Sequence, residues 1–274
     1  MLQLATWNVN SLGVRLPQVL DWLQAHPVDA LCLQELKLSD DKFPHEALQA
    51  AGYEAHVFGQ KTYNGVAILV RQTPGQPSLV SDVVKNLPDF ADEQSRVITL
   101  TLSMALGPIR LVNAYFVNGQ APDTDKFSYK MRWLAALQQR LATELLQHPQ
   151  LCLVGDFNIT ADDRDSWDPE GLRDTIHHTR AERAAFQGLL DLGLHDAFRL
   201  FEDGPKHYSW WDYREMAFRR NRGLRIDYTL VSQALKARVS ACTIDKGPRK
   251  NERPSDHTPV VLSLTPAPAP EFSG

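Results

Sequence analysis

Apolar residues fall along this chain in two rhythms, and the change from one to the other marks its elements. Compact or alternating apolar runs predict strands at 2–7, 29–34, 65–71, 96–103, 109–117, 151–156, 224–231 and 258–264, with weaker runs near 54–59 and 238–244. Spacings of three and four predict helices through Leu16, Val19, Leu20 and Leu23, ended by Pro27; through Leu134, Leu137, Leu141 and Leu145; and through Phe186, Leu189 and Leu190, ended by Gly193. A shorter helix is predicted over 44–51. Gly107-Pro108 between two alternating runs predicts a hairpin turn.

Most neighbouring strands are joined by segments too short for a helical crossover, so the pattern is not a regular βαβ alternation. The fold class expected is α+β, with two mixed β-sheets packed face to face and helices outside. No Ser/Gly-rich linker divides the chain, which predicts a single domain over 1–264. The tail at 265–274, with Pro266-Ala-Pro-Ala-Pro270, reads as extended and disordered.

Composition narrows the class. With 274 residues, 43% apolar and 23% charged, the chain resembles an ordinary soluble protein long enough to bury a large core. Met1-Leu2-Gln3-Leu4 shows no basic segment followed by an apolar one, and no run approaches the roughly 18 apolar residues of a membrane span. A cytoplasmic protein without a membrane partner is expected. Cys32, Cys152 and Cys242 are odd in number, far apart and set in apolar runs, which predicts three buried, reduced thiols. The net charge of −4 does not advertise nucleic-acid binding, but its distribution does. Lys206, Arg214, Arg219, Arg220, Arg222 and Arg225 face only Asp212 and Glu215, and Lys246, Arg249, Lys250 and Arg253 face only Glu252.

Several predicted strands end in polar residues of one chemical kind. Asn8, Glu35, Asp156 with Asn158, and Asp256 with His257 stand at strand ends, and Asp227 lies inside a fifth apolar run. Singly, each has a plain structural explanation: a turn-forming Asn, a helix-capping Glu, an ion-paired Asp. Two packed sheets would bring them to one rim, where rigid elements present a polar site. Carboxylates and amides without a thiolate select a hard cation, Mg²⁺ or Mn²⁺, with Glu35 the best ligand. Asp227, on a neighbouring strand, is better placed than Asp256 to orient His257, because adjacent strand residues point to opposite faces. No strand-to-helix serine elbow is present, so the nucleophile expected is water, positioned or deprotonated by Asp156 with Asn158. Tyr115 could donate to a phosphate or a leaving oxygen.

The motifs Trp7-Asn8-Val9-Asn10, Gln34-Glu35, Gly155-Asp156-Phe157-Asn158, Gly223-Leu-Arg-Ile-Asp-Tyr228 and Ser255-Asp256-His257 resemble, in order and spacing, the exonuclease III branch of the endonuclease/exonuclease/phosphatase superfamily. The resemblance spans residues 1–264. It implies a four-layer αββα sandwich and Mg²⁺-dependent DNA-repair chemistry: 3′→5′ exonuclease on duplex DNA, 3′-phosphatase and 3′-repair diesterase, and incision 5′ to abasic sites. It matches Glu35 to the metal ligand with Asn8 its neighbour, and Asp256 to a second metal-side or orienting acid. Asp156, Asn158, Asp227, His257 and Tyr115 match catalytic positions. Tyr63, Arg96, Asn118 and Arg220 match contacts to the DNA backbone, while Trp210, Leu224 and Ile226 match an apolar pocket for a flipped, base-less sugar. The partner implied is double-stranded DNA with damaged or recessed 3′ ends or abasic sites, bound by a monomer.

One local feature departs from that pattern. The loop between Asp165 and Glu182, whose last part relatives often build from small residues, here carries Ile176-His177-His178-Thr179. His177 is expected either to crowd the pocket or bind a terminal phosphate, favouring 3′-end processing over abasic incision, or to stand with His178 as a plain exposed pair. A lipid or small-molecule phosphodiesterase on the same scaffold would not need the basic 206–225 segment. A non-catalytic nucleic-acid binder would not need the complete acid set.

Overall fold

A computed structural model describes residues 1–266, so the predicted tail lies outside the described residues from 267 onward. The chain runs β1 (Leu2–Asn8), α1 (Leu12–Ala25), β2 (Ala30–Gln34), α2 (His45–Ala50), β3 (Tyr53–Phe58), β4 (Val66–Arg71), β5 (Val80–Lys85), β6 (Val97–Met104), β7 (Gly107–Tyr115) and α3 (Asp125–Gln147). It continues through β8 (Leu151–Asp156), α4 (Arg180–Leu190), β9 (Leu194–Asp196), β10 (Asp227–Ser232), α5 (Gln233–Lys236), β11 (Val239–Ile244) and β12 (Val260–Leu264). Two six-stranded sheets result, ordered β11-β12-β1-β2-β4-β3 and β5-β6-β7-β8-β10-β9.

Side-chain alternation builds the layers. In β2, Ala30 and Cys32 face the other sheet, meeting Ile98, Leu100, Leu111 and Val154, while Leu31 and Leu33 face out against Val19, Trp22 and Leu23 of α1. In β8, Cys152 and Val154 face in, and Leu151 and Leu153 face out beneath Trp133, Leu134 and Leu137 of α3 and Phe186 and Leu189 of α4. Central strands are therefore buried on both faces, which is why they read as continuous apolar runs. The four layers are αββα, as expected. Cys32, Cys152 and Cys242 are buried and unpaired, and burial pushes the Cys152 thiol up to about 12.

A polar bolt crosses the apolar interface. Asn113 of β7 donates to the carbonyls of Leu33 and Ala67, both at 2.9 Å, and accepts from Gln34 Nε2 at 2.7 Å. These bonds fix one sheet against the other near the ends of β2 and β7, while Gln34 Oε1 is buried without a partner.

The structure corrects some sequence expectations. The run read as a strand at 224–231 joins its ladder only from Asp227; Leu224 instead bridges Trp210 and Ser166 outside the sheet. The hairpin expected at Gly107-Pro108 turns at Ala105-Leu106, with Gly107 (φ +92°) already opposite Met104. Arg225 leaves the predicted basic track: it is buried, with Nε 2.7 Å from Asp165 and Nη2 2.7 Å from Asp196. Arg249 is likewise internal, its guanidinium 5.0 Å from the Phe218 ring centre. No described helix is long and apolar enough to cross a membrane.

Candidate active site

Strand direction gathers the polar strand ends. β1 and β2 run parallel, as do β7 and β8, whereas β12 is antiparallel to β1 and β10 to β8. Strands β10 and β12 therefore begin where their neighbours end. Asn8 closes β1, Glu35 follows β2, Asp156 closes β8, Asp227 opens β10 directly opposite it, and His257 precedes β12.

Asn8 is the pivot between the sheets. Fully buried, its Nδ2 donates to Glu35 Oε1 at 2.9 Å and to Asp156 Oδ2 at 2.8 Å, while its Oδ1 accepts the Asn10 N–H at 3.0 Å. Asn158, in the left-handed region at φ +50°, turns its N–H back onto Asp156 Oδ1 at 3.0 Å. Its amide donates to the Phe116 carbonyl at 3.1 Å.

His257 stands between two carboxylates. Its Nδ1–H donates to Asp227 Oδ2 at 2.9 Å, and Nε2 is 3.6 Å from Asp156 Oδ2. Ser209 Oγ donates to Asp227 Oδ2 at 2.6 Å, fixing the acid from behind. Burial disfavours the charged imidazole, but Asp227 and Asp156 outweigh it and hold the His257 pKa above its ordinary value. Burial pushes the Asp156 carboxyl up; His257 pulls it back, and Asp227 and Glu35 push it up again. Burial, then Glu35 and Asp156, raise the Tyr115 phenol, which stays a neutral donor.

Glu35, Asp156 and His257 each offer a ligand atom, and these atoms lie within 4.8 Å of one another. With Nδ1 bonded to Asp227, His257 has only Nε2 to offer beside the two carboxylates. Two carboxylates beside an amide, with no thiolate, suit a hard divalent cation that keeps part of its water shell. Asp256 does not join them: its Oδ1 accepts from Asn10 Nδ2 at 3.0 Å and its Oδ2 from Trp210 Nε1 at 2.9 Å.

Two cavities flank this centre, and Asn158 touches residues of both. Tyr63, Arg96 and Asn118 line one of about 680 Å³, and Asn118 Nδ2 reaches Asn158 Oδ1 at 3.3 Å. Arg96 is only 7% exposed, held on Gln94 Oε1 at 3.1 Å and over the Tyr115 ring at 5.2 Å. Trp210, Leu224 and His177 line the other, of about 480 Å³, and His177 Nδ1–H donates to the Asn158 carbonyl at 2.6 Å. Two expected DNA contacts stand apart. Ile226 is buried and lines neither cavity, and its N–H donates to Ser209 Oγ at 3.2 Å. Arg220 is exposed on the turn beyond the second cavity and lines neither.

Sequence reasoning missed several participants. Lys37 Nζ lies 3.1 Å from Glu35 Oε2 and donates to Asn10 Oδ1 at 2.6 Å, so a cation already sits on the candidate ligand carboxylate. It stands two residues after Glu35, and both have positive φ in a tight turn that the sequence does not disclose. Ser209, between Tyr208 and Trp210, carried no sign that it meets Asp227. Trp167 and Arg222, stacked at 5.0 Å, form an unexpected aromatic–cation wall of the second cavity.

The sequence family described as "Endonuclease/Exonuclease/phosphatase family" matches residues 5–257. Exodeoxyribonuclease III of Haemophilus influenzae is 35% identical, over 94% of this chain and 98% of its own. Among solved structures, the 3′ phosphatase NExo from Neisseria, bound to product DNA hairpin, is 47% identical with a TM-score of 0.92, covering 97% of this chain and 100% of that one. An AP endonuclease from Archaeoglobus fulgidus is 32% identical with a TM-score of 0.90, covering 96% and 99%. Matches of this extent follow the motifs through both sheets and the whole rim they build. The chain belongs to the endonuclease/exonuclease/phosphatase family, in its exonuclease III/AP endonuclease branch, as an exodeoxyribonuclease III-like DNA-repair phosphodiesterase.

Proposed function

We propose that this chain is a Mg²⁺-dependent enzyme of DNA 3′ ends, releasing 3′-phosphates and 3′-terminal nucleotides from duplexes and cutting internal abasic sites far more slowly. The observation that carries this reading is His177. Its ring rests on the Asn158 carbonyl at the wall of the cavity formed with Trp210 and Leu224, beside the catalytic centre. A flipped abasic sugar needs that space, whereas a chain end does not thread its downstream strand through it. The 47% identity to a 3′ phosphatase supports the same choice.

Glu35, with Asp156 and Asn8 beside it, would hold a divalent ion, Mg²⁺ or in its place Mn²⁺, which when bound would offset charge on the phosphoryl oxygens and lower the pKa of water. Asp156 and Asn158 orient the attacking water. His257, aligned by Asp227 and Ser209, presents an N–H to the charge that grows on the phosphoryl group, and Tyr115 donates its phenol to the phosphate. Arg96, Asn118 and Tyr63 hold the backbone of the strand. The protein acts as a monomer in the cytoplasm, with residues 1–264 as its single catalytic domain.

The test sets one recessed 3′ end, one 3′-phosphate and one internal abasic duplex against the same enzyme and Mg²⁺. The parent is expected to act on the first two. His177→Gly should gain abasic incision by about 10- to 100-fold, the equivalent of ~1–3 kcal/mol of steric exclusion removed. Abasic incision by the parent as fast as phosphate release would overturn the reading.

A further inference from the structure

Lys130, on the second turn of α3, is completely buried, and so is its counter-ion Glu182 at the start of α4. A buried ion pair is tolerated when all its bonding capacity is used, and here it is. Lys130 Nζ donates to Glu182 Oε1, to the Asn158 carbonyl at 2.7 Å and to the Asn118 carbonyl at 3.2 Å. Glu182 Oε1 also accepts the His177 N–H at 3.1 Å, while Oε2 accepts from Thr179 N at 3.1 Å and Thr179 Oγ1 at 2.7 Å.

Two of these partners line the cavities, Asn118 the first and His177 the second, and Asn158 bonds to both of them; His177 is the most constrained. Its backbone is left-handed at φ +70°, a conformation that is strained for a non-glycine residue and persists only where its surroundings over-determine it. Glu182 holds its N–H, and Thr160 holds its carbonyl through N at 2.8 Å and Oγ1 at 2.7 Å. The Asn158 carbonyl, itself gripped by Lys130, holds its ring. A carbonyl only accepts, so Nδ1 carries the proton and the Nε2 lone pair of the neutral ring is left for the cavity side. The packing leaves no slack: a Cβ on Gly119 would stand 2.9 Å from Lys130 Cδ and 3.1 Å from Ile176 Cδ1.

We propose that the Lys130–Glu182 pair is a positioning element that sets lesion choice, holding the backbone and ring of His177 so that the cavity excludes a base-less sugar. This rests on the reading that His177 is the excluding group. Neither residue touches substrate; both act through His177 and the Asn118 and Asn158 carbonyls. Removing the ammonium leaves Glu182 buried without its counter-ion and the Asn158 carbonyl with one donor fewer, and the His177 turn then relaxes toward ordinary backbone angles.

The experiment measures the ratio of internal abasic incision to 3′-phosphate release in the full-length enzyme with Mg²⁺, for Glu182→Gln and Lys130→Met, each with and without His177→Gly. Glu182→Gln keeps the side-chain volume; Lys130→Met is the second variant should the first fold poorly, and a thermal midpoint accompanies each. Either substitution alone should raise the ratio several-fold, and in the His177→Gly background its effect should shrink to less than about twofold, the non-additivity of residues acting through one group. The ¹⁵N spectrum of the His177 imidazole, assigned by its loss in His177→Gly, should move from the Nδ1–H tautomer toward a mixture. A lowered midpoint with an unchanged ratio and an unchanged imidazole spectrum would mean that the pair only stabilises the fold, and the proposal fails. Should His177→Gly itself leave the ratio unchanged, the reading of His177 fails first and takes the proposal with it. A ratio that moves in His177→Gly but in neither ion-pair variant overturns the proposal alone.

Discussion

His257 has two acids and one ring, and the geometry divides the labour between them. Asp227, braced by Ser209, binds Nδ1 and sets the ring plane; Asp156 stands 3.6 Å from Nε2, leaving that edge turned toward the reacting group. Removing either the imidazole donor or the candidate ligand carboxylate of Glu35 should therefore be costly. His257→Ala and Glu35→Ala are each expected to lose on the order of 10²–10⁴ in kcat/KM for 3′-phosphate release. Near-parental rates for His257→Ala would remove it from the mechanism. At His177 the titration has a definite sign. Burial, with Lys130 nearby, drives its pKa from the ordinary 6.5 down to about 3. Between those values the unfolded chain binds the proton and the folded one does not, so stability is full above pH 6.5 and falls as the solution is acidified. His177→Asn should consequently lose less stability than the parent between pH 7 and pH 5, read from urea midpoints at both. Equal losses would show that the ring titrates alike in both states.

At the scale of elements, the site depends on how closely β7 and β8 run. Gly155, one residue before Asp156, has φ +144°, and a Cβ there would lie 1.8 Å from the Ala114 carbonyl oxygen. Gly155→Ala should cost about 3 kcal/mol or more, or prevent folding, because the clash is with backbone and the angle is unfavourable as well. A thermal midpoint within a degree or two of the parent would contradict this. The same strands show what the sequence could and could not disclose. β2 and β8 were legible because helices cover one face and the opposite sheet the other, leaving uninterrupted apolar runs. β5 was not: it is an edge strand, mostly exposed, with a bulge between Ser81 and Val84 and Asp82 at φ +50°, so neither alternation nor a run survives. The three residues of β9 are too few to carry a period. The helix read from Phe186 in fact starts at Arg180, and Thr179 with Glu182 forms a capping box whose spacing was present in the sequence. In the site, the strand-end acids were legible as a set because their chemistry is uniform. Ser209, Lys37 and Lys130 were not, since each matters through a partner distant in sequence or through a turn that only the folded backbone defines.

For the whole molecule, charge is arranged against its sum. A net charge of −4 coexists with Arg219, Arg220 and Arg222 on the turn beside the second cavity, while Arg225 and Arg249 are withdrawn into buried contacts. Neutralising Arg219, Arg220 and Arg222 together should weaken DNA binding and reduce the slope of log K against log salt by ~0.9 for each phosphate that is no longer neutralised. Titrations of a duplex across a range of salt concentrations would measure this, and an unaltered slope would place the turn off the DNA path.

The sulfur atoms add a consequence for how the protein can be followed over time. Cys32 and Cys152 lie in the layer between the two sheets, where burial holds both thiols far above the range in which they become nucleophilic. An alkylating reagent therefore reaches them only after the sheets part, and its rate of incorporation becomes a clock for global opening. The same burial shields these two thiols from peroxide, so their oxidation too would wait on the opening of the sandwich.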